Sequence, residues 1–249
     1  MTEGHTNSAP GLRGSTAGDT AVGDTAHARF RWIDLVVAIG VMAGLFGLSW
    51  AGGRLVGALE LSSGAQKAAE TAVLLAMHLG AIAFLVWYLR RRGLGTGLRP
   101  LGRDAWHLLW EIPLIFVAVP TVTQIVSRLA DLEPLENGGL GANIELGAAF
   151  LLKVFVVGAV LAPVLEELIF RRIVMGYFDT VMPAAASVVL SATVFAVPHL
   201  EPMQIVHAFS GGIAFALVAR RHRSLWASVI AHLCNNLIVG VIVVAELTT

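Results

Sequence analysis

Residues 146–172 read LGAAFLLKVFVVGAVLAPVLEELIFRR. Residues 146–165 carry one charge, Lys153, and then Glu166, Glu167, Arg171 and Arg172 arrive within a few positions. At 1.5 Å per residue, such an apolar run crosses a hydrocarbon core about 30 Å thick. Lipid offers no partners for backbone N–H and C=O groups, so a run of this kind must be helical. The stretch therefore predicts a transmembrane helix that ends in charge.

Six further runs have the same character. Spans are expected at 35–53, 71–89, 105–127, 146–165, 181–197, 202–219 and 225–245. An eighth helix remains open. The fold class is accordingly all-α, a polytopic transmembrane helix bundle of about seven to eight spans. The composition agrees: 56% of residues are hydrophobic and only 14% charged, where soluble domains carry about 25% charged residues. Zero net charge gives no basic surface for nucleic acid. The single Cys234 excludes an intramolecular disulfide framework. Residues 1–28, rich in Gly, Ser, Thr, Ala and Asp, read as a disordered cytoplasmic tail, with His5 and His27 as solvated side chains. Three regions follow: the tail 1–28, N-terminal transmembrane helices of unassigned role over 29–145, and a C-terminal core over 146–249.

Basic residues alternate in step with the spans. Arg29, Arg31, Arg90, Arg91, Arg92, Arg99, Arg103, Arg171, Arg172, Arg220, Arg221 and Arg223 fall on one side, against Arg54, Lys67 and Arg128 on the other. Lys and Arg concentrate in cytoplasmic loops. The expectation is an integral, multi-pass protein of a bacterial cytoplasmic membrane, with its N-terminus cytoplasmic and its C-terminus outside.

Ionisable groups inside a span are costly, so they face a bundle interior or a wet cavity. Glu167 and Arg171 are four residues apart and can pair on one helical face. Glu166 then points about 100° away and is left free for chemistry. His199 follows the fifth span, and His232 and Asn236 share a face of the seventh. A carboxylate, two imidazoles and an amide on three separate helices supply a base, a second proton-handling group and a neutral donor.

The patterns Glu-Glu-x-x-x-Arg (Glu166, Glu167, Arg171), Phe-x-x-x-His (Phe195, His199) and His-x-x-x-Asn (His232, Asn236) resemble, in order, the three motifs of the CAAX-protease and bacteriocin-processing family, also called Abi. That family is related to the eukaryotic type II CAAX prenyl endopeptidase. The likeness covers about residues 162–239. Arg172 departs from it, standing where relatives often have Gly. The resemblance implies an intramembrane peptidase acting on a membrane-associated protein or peptide. By motif position, Glu166 would activate water with His199 assisting. His232 and Asn236 would stabilise the oxyanion, and Glu167 with Arg171 would hold the helix geometry. In the metal-dependent alternative, Glu166, His199 and His232 would ligate one divalent ion, zinc by ligand type, leaving a position for water; otherwise no cofactor is implied. A different class of function also stays open, a catalytically silent scaffold or transporter using the same buried polar cluster.

Other polar residues have blander readings. His78, His207 and Lys153 have no partner visible from spacing and are expected in packing or polar contacts. His107 and Glu111, four apart beside Trp106 and Trp110, read as an interfacial pair. Gly211-Gly212 is expected to permit close helix approach.

Overall fold

The computed structural model describes residues 29–132 and 146–248; the expected tail over 1–28 lies outside them. Among the described residues there are seven helices and no strands. They are α1 (Trp32–Gly57), α2 (Ser63–Arg91), α3 (Leu108–Leu129, entered through a 3-10 turn at Arg103–His107), α4 (Ala148–Phe178), α5 (Ala184–Ala196, leaving through a 3-10 turn at Val197–His199), α6 (Pro202–His222) and α7 (Leu225–Glu246). All except α5 are long and apolar enough to cross a membrane.

Two expected boundaries are corrected. The fourth span does not end at residue 165: α4 continues to Phe178, 31 residues in all, so the glutamates lie within the helix. They do not end it because their charge is met by neighbouring side chains rather than by water. The fifth span is shorter than expected, with 13 residues in α5 itself. Pro183 starts it in an extended conformation. Pro198 lies in the closing 3-10 turn, after which Leu200 takes a left-handed backbone (φ 63°). Counting that turn, α5 rises about 24 Å, short of a full crossing.

Helix α4 is the axis. Its Leu165, Leu168, Ile169 and Ile173 pack with Ala38 of α1, Leu85 and Leu89 of α2, Phe195 of α5 and Val229 of α7. A second cluster joins Ile115 and Val119 of α3 to Phe215 and Val218 of α6 and Ala227 and Ala231 of α7. The lipid-facing surface is apolar, with Phe46, Trp50, Phe84 and Val117 exposed, whereas Asp34, Glu167, Arg171, Ser187, Ser191 and His232 are buried. Apolar contact gains little where the solvent is itself hydrocarbon, so close packing and polar contacts must hold the helices together. Gly212 illustrates the packing. A Cβ there would meet Ala192 at 3.1 Å and Phe195 at 3.2 Å, so the expected close approach is that of α6 to α5.

Two stretches of α4, Leu152–Leu161 and Glu167–Val174, are wound wide, with i→i+5 hydrogen bonds such as Met175 N–H to the Phe170 carbonyl. Such wide turns recur at functional sites. Their carbonyls also serve other helices: Ser191 Oγ donates to Phe170 O at 2.8 Å, and Asn236 Nδ2 donates to Gly158 O at 2.9 Å.

The arginine-rich segments converge on one end of the bundle. Arg92 holds Asp34 of α1 through two hydrogen bonds, and Tyr88 adds a third at 2.6 Å. Arg172 Nε donates to Gly95 O at 2.9 Å, Arg172 also donates to Leu94 O, and its guanidinium lies over Phe30. Ser224 Oγ donates to Arg99 O. Arg171 is the exception to the expected row of surface charges, being buried within the bundle. At the same end Glu111 pairs with Arg221 and with His222, each at 2.7 Å. The expected His107–Glu111 pair is therefore replaced by bonds from α3 to α6; His107 Nδ1 instead meets Asp104 O at 2.9 Å.

Candidate active site

The two adjacent glutamates occupy different worlds. Glu167 is fully buried, and its Oε1 lies 3.1 Å from Arg171 Nη1 and 3.0 Å from His232 Nδ1. The Glu166 side chain is 24% exposed, and its Oε2 lies 3.5 Å from His232 Nε2. The expected Glu167–Arg171 pair is present, with one addition. His232 bridges the two carboxylates, 65 residues away in the chain.

Arg171 is enclosed. Its guanidinium sits 4.4 Å from the Phe195 ring centroid and 5.6 Å from that of Phe215, and Nη2 donates to Gly212 O at 3.2 Å. A desolvated cation between aromatic faces gains from both. Phe215 also stacks on His232, centroids 4.5 Å apart and planes 19° from parallel, while Phe195 meets His232 and His199 edge-on at 5.7 and 5.3 Å. The aromatic pair thus fixes both imidazole rings and the arginine. Phe195 was visible in the sequence as a motif residue; Phe215 was not, and its only signal is its place one helical turn beyond Gly211-Gly212.

Hydrogen bonds also settle the tautomers, since a carbonyl or carboxylate can only accept. His232 donates Nδ1–H to Glu167. His199 donates Nδ1–H to Ala196 O at 3.2 Å. In each neutral ring the lone pair is therefore on Nε2. His207 follows the same rule. Thr123 Oγ1 donates to Val119 O at 2.8 Å, so at 3.4 Å it can only accept from His207 Nδ1.

These groups line one cavity of about 770 Å³. Glu166, His199, His232 and Asn236 all border it, together with Phe195, Phe215, Thr123 and His207. The short α5 is what brings His199 to this level. Asn236 is anchored by Gly158 O and accepts from Asn235 Nδ2 at 3.2 Å, leaving one amide N–H uncommitted. His207, expected in packing, is a cavity residue. His78 bonds back to Leu74 O on its own helix.

Among the described residues, no three His, Cys, Asp or Glu side chains come together as a set that could hold an ion. Glu166 and His232 approach one another at 3.5 Å, and His199 does not join them in such a set.

Residues 148–238 match the family described as Rce1-like, type II CAAX prenyl endopeptidase. Over 81 residues the chain is 27% identical to a protein of Bacillus subtilis (strain 168) named "Putative membrane peptidase YdiL", a stretch covering 32% of this chain. The chain thereby spans 33% of that relative's length. No solved structure matches.

Proposed function

We propose, from the match of residues 148–238 to the family described as Rce1-like, type II CAAX prenyl endopeptidase, that the chain hydrolyses a peptide bond of a membrane-associated protein or peptide, with Glu166 as the base. The observation that carries this reading is the contrast between the two glutamates. Glu167 is committed to Arg171 and His232, whereas Glu166 borders the cavity within reach of an imidazole.

In this mechanism Glu166 takes a proton from water, assisted by the Nε2 lone pair of His199. The resulting hydroxide adds to the scissile carbonyl carbon. The abstracted proton passes to the leaving nitrogen as the C–N bond breaks, giving a carboxylate and an amine. The oxyanion of the tetrahedral intermediate accepts from the free N–H of Asn236 and from His232. His232 can donate from Nε2 only as an imidazolium, because its Nδ1 proton is already given to Glu167. Glu167 and Arg171 hold the frame.

The reaction is proposed to be metal-free, and its substrate to be a polypeptide in or at the bilayer. The test compares the termini of membrane proteins between cells carrying the wild type and cells carrying Glu166→Gln. New termini present only with the wild type identify substrates. Identical termini at equal protein levels would remove the peptidase reading and leave a non-catalytic role for the cluster.

A further inference from the structure

Among the described residues, the lining of the cavity runs toward the end away from the arginines. On α7 the residues nearest the basic end, Leu225, Ala227, Ser228, Val229 and Ala231, are buried. Beyond His232 the same helix borders the cavity through Val239, Val243 and Glu246, out to its last turn. Helix α6 runs the opposite way and repeats the pattern. Its first-turn residues Met203 and Gln204 line the cavity, whereas Ala216, Val218 and Ala219 near its basic end are buried. On α3 the contributing residue is Thr123, late in a helix that starts at the basic end. The stacked layer of Phe195, Arg171, Phe215 and His232 forms the floor.

Basic residues fix which face is which. Arg29, Arg31, the arginines of 90–103, Arg172 and those of 220–223 lie on segments joined by direct contacts at one end. Arg54, Lys67, Arg128 and Lys153 lie toward the other. A bias of this size orients a multi-pass protein with the arginine-rich end in the cytoplasm.

We infer that the cavity opens to the extracytoplasmic face and takes a polypeptide segment presented from that side, such as part of an exported peptide or the outer end of a membrane anchor. From His232 to Glu246 the helix rises about 21 Å, room for about six residues of extended chain at roughly 3.3 Å each. The scissile bond would then lie deep, at the floor, with the flanking residues reaching up to the mouth past Val239 and Val243.

This inference takes the peptidase reading as its premise for the word substrate, but its test needs no activity. In a Cys234→Ala background, single cysteines are placed at the mouth (Gln204→Cys, Val243→Cys) and at the basic end (Arg103→Cys) of the full chain in a bacterial membrane. A membrane-impermeant maleimide is applied to intact cells and to inside-out vesicles. Q204C and V243C should react in intact cells and R103C only in the vesicles. Reaction of the mouth positions from the inner face overturns the inference. So does reaction from neither face while a permeant maleimide labels both. A Glu166→Gln variant with unaltered membrane-protein termini would end the peptidase reading without moving this labelling pattern.

Discussion

Nδ1 of His232 lies 3.0 Å from Oε1 of Glu167, so the buried glutamate determines which nitrogen its half-buried neighbour sees. The imidazole turns Nε2 toward Glu166 at 3.5 Å. Catalysis as proposed needs both groups, Glu166 to take a proton from water and His232 to face the oxyanion. Purified His232→Gln should therefore cleave more slowly by about a hundredfold or more, and Glu166→Gln more slowly still. A His232→Gln rate within a few-fold of the wild type would remove His232 from the oxyanion site.

Glu167 and Arg171 form a buried pair, and removing one partner strands the other. Glu167→Ala should cost about 3–5 kcal/mol, read as a fall in the thermal midpoint in detergent. Arg171→Lys should not restore it, because a lysine has no planar guanidinium to lie between Phe195 and Phe215. Glu166→Gln, at the edge of the cavity, should leave the midpoint within a degree or two. Equal losses at both glutamates would contradict the division between them.

Gly212 sits where a side chain would press on Ala192 and Phe195. Gly212→Val should destabilise by about 1–3 kcal/mol and should also impair activity in the folded fraction, since Phe195 positions both imidazoles. Loss of stability with activity unchanged per folded molecule would free Phe195 of that role.

Arg172 departs from the family pattern and fastens the segment after α2, where Gly93, Gly95 and Gly97 all take positive φ. Arg172→Gly should raise amide exchange over residues 93–99 while leaving cleavage within about threefold. A collapse of activity comparable to that of Glu166→Gln would place Arg172 in the chemistry.

No three potential ligands converge among the described residues, and the proposed water activation rests on Glu166 and His199. Chelation and dialysis should leave the rate unchanged, with less than a tenth of an equivalent of zinc by elemental analysis. Loss of activity on chelation and its return with zinc would favour the ligand set Glu166, His199 and His232.

The parts of the fold legible in the sequence were those written in local spacing. Long uncharged runs gave the helices, and i to i+4 spacing gave the Glu167–Arg171 pair. What stayed hidden depended on contacts between distant segments. The charges of 166–172 read as a helix end because their neutralising partners, His232 and the rings of Phe195 and Phe215, stand on other helices. Glu111 was matched to His107 by spacing, but its partners are 110 and 111 residues away. His207 gave no signal because its partner, Thr123, is an ordinary residue of an apolar helix. The short α5 could not be separated from a full span by hydropathy, since lack of charge says nothing about where prolines stop a helix.

The most direct measurement follows water oxygen into product. Purified wild type and Glu166→Gln, each reconstituted in vesicles with extracted membrane proteins, are incubated in water enriched in oxygen-18, and the new C-termini are read by mass spectrometry. The account predicts labelled C-termini with the wild type and a rate lower by about a hundred- to ten-thousand-fold with the variant. Labelled termini appearing at equal rates with both would contradict it.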